Sequence, residues 1–168
     1  MEEKFFVKGK IVFANLLEPK FFQDGVGKYS IRLMVDKSDL KSCTNMQQYY
    51  QRAVAIGATL FVGNDNIMSP IKEGLNYYGT SYSNYYVLDL NTKIQPQIID
   101  INKTLLPLDR IKSGAYVCVA MNFFPYNVNG KCGVSARLYS MMFIRQEAPV
   151  ITEVSNALED FATFNLEE

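Results

Sequence analysis

Arg137, Tyr139, Met141, Phe143 and Arg145 recur at every second position near the end of the chain. A strand has a period of two, so these side chains would share one face. That face interleaves two arginines with two aromatic rings. Cations suit phosphates and rings suit bases, so such a β-surface is adapted to unpaired nucleic acid. A plainer account is that any half-buried strand carries something polar outside. Residues 76–86, NYYGTSYSNYY, form a second candidate, with Tyr77, Tyr78, Tyr82, Tyr85 and Tyr86 set among Gly, Ser, Thr and Asn. A loop packed only for burial would use Leu and Val. Tyrosine among small polar residues gives broad contact for little lost entropy, and an exposed ring can stack a base for roughly 1–3 kcal/mol. Tyr77, Tyr78 and Tyr82 are the stacking candidates, while Tyr85 and Tyr86 are expected to open a strand.

Other chemistries lack their residues. The chain has no histidine, which removes the commonest general base and every Ser-His or Cys-His nucleophile pair. Cys43, Cys118 and Cys132 are scattered, without a CxxC pair, so neither a disulfide framework nor a four-ligand structural zinc site is expected. Asp89, Asp100 and Asp109 are too dispersed to argue for a carboxylate-dependent nuclease. Gly25-x-Gly27-Lys28 has the wrong spacing for a P-loop and reads as a turn. The expectation is a protein that is not an enzyme and needs no cofactor or metal.

These side chains need β-structure to position them. Residues 5–17 place Val7, Gly9, Ile11 and Phe13 on one face and Lys8 and Lys10 on the other, with Glu18-Pro19 ending the strand. Residues 28–36 alternate Tyr29, Ile31, Leu33 and Val35 against Ser30, Arg32 and Met34. Paired, these runs would show Lys8, Lys10 and Arg32 outside. Ser38 is the expected N-cap of a helix over 39–58, whose apolar stripe is Leu40, Cys43, Met46, Tyr50 and Val54. Short strands are expected at 85–90 and 97–101. Residues 116–124 are apolar at nearly every position, which predicts cover on both faces. Asn129-Gly130 then predicts a type I′ hairpin turn, because both residues tolerate positive φ. Beyond the turn, Val134, Ala136, Leu138, Met142 and Ile144 should face the core. The fold class is mainly β, an OB-fold-like small barrel with one inserted helix, the helix falling earlier than usual in that fold.

Net charge is zero, but it is segregated. All 17 Lys and Arg lie at or before Arg145 against 11 Asp and Glu, leaving the body at +6 and the last 23 residues at −6. Such asymmetry suggests a nucleic-acid surface and an acidic interaction tail on one chain. Residues 1–148 would form the binding domain and 149–168 a partly disordered tail. In that tail Val154, Leu158 and Phe161 fall at helical spacing and could dock on the barrel or on a partner. No secretory signal and no membrane span is visible, so a cytoplasmic protein without membrane contact is expected.

The succession VKGKIVFANLLEP, GKYSIRLMVDKSD and SGAYVCVAMNFFPYNVNGKCGVSARLYSMMFIR, followed by a tail with LEDF, resembles bacteriophage single-stranded-DNA-binding proteins of OB-fold type. The resemblance covers about residues 7–36 and 113–161. It implies binding of single-stranded DNA without strong sequence preference, in phage replication, recombination or repair within the host cytoplasm. By position it assigns Lys8, Lys10 and Arg32 to the barrel face or its margin, and Arg137 and Tyr139 to the late strand; Lys131, in the element Asn129-Gly130-Lys131-Cys132-Gly133, is a further nucleic-acid-binding candidate. It also implies that Glu159, Asp160, Phe161, Phe164, Glu167 and Glu168 recruit phage or host replication and recombination proteins. A homodimer is compatible with it. The alternative is a β-rich phage structural or interaction module that binds no nucleic acid.

The charge split yields a test. A tethered acidic segment has a high effective concentration near a basic groove and competes with phosphates there. Deleting residues 150–168 should therefore tighten binding to labelled oligo-dT, most visibly at 50 mM salt, where screening is least.

Overall fold

Two long antiparallel strand pairs, with apolar residues alternating towards one face, form a sheet whose ends meet. The protein is described by a computed structural model over residues 3–21, 25–64, 66–150 and 157–166. Its elements are β1 (Phe5–Phe21), β2 (Gly27–Asp36), α1 (Leu40–Ile56), β3 (Ile71–Glu73), α2 (Gly74–Tyr78) and β4 (Tyr85–Thr92). There follow β5 (Gln97–Ile99), β6 (Leu105–Leu106), β7 (Ala115–Val128), β8 (Lys131–Gln146) and α3 (Ala157–Asp160). β1 pairs antiparallel with β2 and β7, β2 with β4, and β7 with β8. A parallel contact between β4 and β8, Asn91 opposite Arg137, closes five strands into a barrel. This is the OB-type order, with α1 inserted after β2 as the sequence led us to expect. β3 extends the sheet beside β4, and β5 and β6 extend it beside the later half of β8.

Val7, Ile11, Ile31, Leu33, Leu88, Leu90, Val117, Val119, Met121, Val134 and Leu138 fill the interior. α1 closes one end through buried Met46 and Ala53. There Tyr49 stacks on Phe5 with ring centres 4.2 Å apart, and Phe123 leans on Phe5 at 5.4 Å. The helix is capped by Asp39 rather than Ser38: the Asp39 carboxylate accepts from the Ser42 amide and hydroxyl, while Ser38 donates to Asp36. Leu40 lies on solvent, so the apolar stripe begins only at Cys43.

Bulges decide which side chains face out. An extra residue in one strand shifts its alternation, and alternation alone cannot reveal it. At Val12 the register slips, so Phe13 pairs with Arg32 and turns outward instead of joining the core. Glu18-Pro19 does not end β1. The ladder opens between Asn15 and Lys20, where proline's missing N–H costs nothing, and it resumes at Lys20 and Phe21. A slip at Tyr139 sends Met141 and Phe143 inward in place of Met142 and Ile144. The outer residues of β7, among them Tyr116, Cys118 and Phe124, are half-buried rather than covered. The hairpin turn follows expectation, with φ of 53° at Asn129 and 83° at Gly130.

Gly9 offers a check on barrel packing. A Cβ there would lie 2.7 Å from Leu33 Cγ and 2.7 Å from the Met34 carbonyl oxygen, which is backbone and cannot step aside. Gly9→Ala should destabilise the fold by about 1–3 kcal/mol, read as a lower urea midpoint with unchanged slope.

Candidate nucleic-acid interface

Arg32 stands at the centre of the outer surface formed by β1, β2 and β4. Its partner across the β2–β4 ladder is Asp89. The guanidinium donates through Nε to Asp89 Oδ1 at 2.7 Å and through Nη2 to Oδ2 at 3.1 Å, a two-pronged pairing. Nη1 donates to the Tyr78 hydroxyl at 3.2 Å. The hydrogen bond to Asp89 raises the guanidinium pKa still further, against the opposing effect of partial burial. The same group lies 5.2 Å from the Phe13 ring centre and 5.1 Å from that of Tyr77. Phe13 is 39% and Tyr77 45% exposed, so both rings keep surface open to a ligand.

These rings come from separate segments. The Val12 bulge turns Phe13 out, and the one-and-a-half turns of α2 carry Tyr77 and Tyr78. α2 lies close to the loop that follows because Gly74 has no side chain; a Cβ there would meet the Tyr82 and Tyr85 carbonyl oxygens at 2.6 and 2.8 Å. Tyr78 meets Tyr82 edge-on at 5.9 Å, and Tyr82 meets Tyr85 at 6.0 Å. The tyrosine-rich stretch is thus a linked row, with Tyr77 its most open ring at the Arg32 end.

Next to this cluster, across the closure of the barrel, is a groove of about 330 Å³ lined by Lys28, Asn91, Thr92, Lys93, Phe124, Ser135 and Arg137. Among the described residues three bases line it and no acid does, which favours an anion. The Arg137 guanidinium lies 5.9 Å from the Phe124 ring centre and 5.2 Å from that of Tyr139, over which Lys4 also sits at 4.6 Å. Rings therefore stand on both sides of a basic trough. A larger hollow, about 620 Å³ between residues 14–20 and the turn at Leu108, carries Lys20 and Lys112 but also Glu18 and Asp109, so its charges cancel.

Of the residues singled out from sequence, the structure brings Arg32, Tyr77 and Tyr78 together and sets Arg137 and Tyr139 across the groove. Lys8 and Lys10 are also on an outer face, but farther along β1 beside Cys118 and Tyr116. Lys10 is 4.0 Å from Glu147, which also accepts from Arg145 at 2.6 Å, while Arg145 covers Tyr116 at 4.3 Å. Lys131 is exposed at the start of β8, beside the hairpin turn. In the tail, Leu158, Phe161, Phe164 and Leu166 are exposed, and Phe161 meets Phe164 edge-on at 5.6 Å. Glu159 and Asp160 lie in α3, whereas Val154, Glu167 and Glu168 fall outside the described residues. Sequence reasoning missed Phe13, Lys28, Lys93 and Phe124. Lys28 and Lys93 had a signal in their position at strand ends; Phe13 had none without the bulge.

Among the described residues no group of three or more Cys, Asp or Glu is placed to hold a metal ion. Burial pushes the Cys43 and Cys118 thiols up, away from the reactive thiolate. No helix is long and apolar enough to cross a membrane among those residues.

Comparison with known proteins gives a consistent result. Residues 6–168 match the family model described as Enterobacter phage Enc34, ssDNA-binding protein. The solved single-stranded DNA-binding protein of bacteriophage Enc34 superposes with a TM-score of 0.67 at 17% identity, over 94% of this chain and 89% of that one. Its complex with ssDNA gives 0.67 at 16% identity, over 85% and 86%. The gp2.5 protein of bacteriophage T7, a single-stranded DNA binding protein, also gives 0.67 at 16%, over 92% and 98%. No curated protein sequence matches.

Position separates two arginines that look alike in sequence. Arg137→Glu should weaken binding of labelled oligo-dT by roughly tenfold or about 1.4 kcal/mol, as loss of a charged contact does. Arg145→Glu, beside Glu147 and away from the groove, should change affinity by less than about half that free energy. Fluorescence anisotropy reads both.

Proposed function

The chain belongs to the Enterobacter phage Enc34 ssDNA-binding protein family, and from that premise we propose that it binds single-stranded DNA along the groove between Arg32 and Arg137. The observation that carries this reading is the trough of Lys28, Lys93 and Arg137, with no acid among its described lining residues, the exposed rings of Phe13 and Tyr77 on one side and the half-buried rings of Phe124 and Tyr139 near Arg137. Phosphates of an unpaired strand would lie over the bases, and nucleobases would stack on Phe13, Tyr77, Phe124 and Tyr139. Stacking uses the face that every base has, and phosphate contact reads no sequence, so binding is largely sequence-independent. Nothing in this mechanism breaks or makes a covalent bond. The protein is non-catalytic in this reading, and supports phage DNA replication, recombination or repair in the host cytoplasm.

Residues 1–148 are the binding domain in this proposal, and 149–168 the acidic tail. Glu159, Asp160, Phe161, Phe164, Glu167 and Glu168 would dock phage or host replication and recombination proteins, acids steering and rings anchoring. The exposed phenylalanines support that role. Lys8, Lys10, Lys131 and Tyr82 would guide DNA at the margins of the groove rather than at its centre. A homodimer would set two such grooves on one strand.

Salt tests the trough. Each phosphate neutralised on a single strand contributes roughly −0.7 to the log–log slope of affinity against salt. Lys28, Lys93 and Arg137, with Lys72 beside Tyr77, predict a slope of about −2 to −3 for oligo-dT. Affinity that does not change between 50 and 300 mM salt would overturn the basic trough. Phe13→Ala and Tyr77→Ala should each cost about 1–3 kcal/mol of binding with little change in melting temperature. A ring whose loss lowers stability but not affinity belongs to the core.

A further inference from the structure

Asp89 is a carboxylate in the middle of a surface that the proposed function gives to phosphates. On charge alone it should repel them. Its geometry points the other way. Both of its oxygens are taken by Arg32, at 2.7 and 3.1 Å. An arginine without a partner samples many rotamers, whereas a two-pronged pairing fixes the plane of the guanidinium. Here the fixed plane meets three rings from two segments: Phe13 of β1 at 5.2 Å, Tyr77 of α2 at 5.1 Å, and Tyr78 through its hydroxyl at 3.2 Å. β1 and α2 have no strand pairing with each other among the described residues. The guanidinium is thus what joins the Phe13 and Tyr77 platforms, and Asp89 is what holds the guanidinium. Lys72, 6.0 Å from the Tyr77 ring centre, borders the same cluster, and it shares with Asp89 a shallow hollow of about 190 Å³ that also includes Asn91 and Ser135.

We propose that Asp89 is a positioning residue of the DNA-binding site: through Arg32 it holds Phe13 and Tyr77 at a spacing that receives unpaired bases. Removing this negative charge then weakens DNA binding instead of tightening it. The inference rests on the proposed function and goes beyond it, because it gives an acid a required part in binding an acidic polymer. It also means that Arg32 serves by arranging rings. Its charge is already matched by Asp89, so it adds little to the salt slope.

The test is a double-mutant cycle in the full-length chain, read by anisotropy with labelled oligo-dT at 50 and 200 mM salt. Asp89→Asn alone should weaken binding five- to twentyfold at both salt concentrations without making the salt slope shallower, since no phosphate contact is lost. In an Arg32→Ala background, where the carboxylate has lost its partner, Asp89→Asn should tighten binding or leave it unchanged. A reversal of this kind is not produced by a residue that merely supports the fold, which would weaken both backgrounds alike. Asp89→Asn protein that binds as tightly as the wild type, or more tightly, overturns the inference. So does an equal weakening in the two backgrounds. Wild-type protein that fails to bind oligo-dT overturns the proposed function itself. Should Asp89→Asn lose its cooperative melting, Tyr78→Phe carries the test, because it removes only the hydroxyl that holds Nη1. It should weaken binding two- to fivefold, and an unchanged affinity overturns the inference.

Discussion

Everything on the outer surface depends on how the barrel closes. Five strands must bend enough for β4 to reach β8, and they meet at Asn91 and Arg137. Bending of this order needs extra residues in the outer arc, which β-bulges supply. The slips at Val12, Tyr139 and Ile144 are therefore part of closure rather than defects in pairing. Each also changes which side chains face out. The bulge at Val12 lets β1 curve and, by the same displacement, moves Phe13 from the core side to the side of Arg32. Barrel geometry and ligand chemistry are set by one backbone event.

Charge on this protein is handled locally. Lys10 and Arg145 share Glu147, Lys37 meets Glu73 at 2.6 Å, and Arg52 meets Glu3 at 2.7 Å. These pairs are on the surface and add little stability, but each mutes the field around it. The trough lined by Lys28, Lys93 and Arg137 is where bases gather without an acid among the described lining residues. An overall charge of zero and a focused basic groove are thus compatible. Aromatic rings beside the groove then convert loose attraction for a polyanion into contact with bases.

Much of this was legible in the sequence because it follows from local chemistry. Asn129-Gly130 carried its own turn geometry, the alternation in β2 carried its inner face, and helical spacing carried α1. Several short strands with a single helix suggested the barrel, although the helix falls earlier than usual for that fold. The rest depended on residues distant in the chain. Arg32 and Asp89 are 57 positions apart, and nothing local to either marks them as partners. The N-cap went to Asp39 over its neighbour Ser38 because Asp36 offered Ser38 a competing acceptor. Met141 and Met142 exchanged faces because a single unpaired residue shifts every side chain after it. Periodicity sees elements; it does not see slips within them.

The pairing of the first strand with the seventh has a consequence in time. Phe5 finds its partner at Met121, so the barrel cannot close while the chain is shorter than that. Ribosomes add roughly 5–20 residues per second, so the growing chain waits on the order of 10 s with one edge of β1 unpaired. Long-range pairing of this kind also folds slowly once complete, since loop closure precedes the contacts that repay it. During that wait β1 is flanked by β2 alone, and until β4 emerges to pair with β2 the two form a ribbon of marginal stability. Its outer lysines, Lys8 and Lys10, are the sort of charge that keeps an open edge from recruiting a neighbour. These two lysines, outside the lining of the groove in the finished barrel, thus have a use before the barrel exists, as guards against aggregation on the polysome.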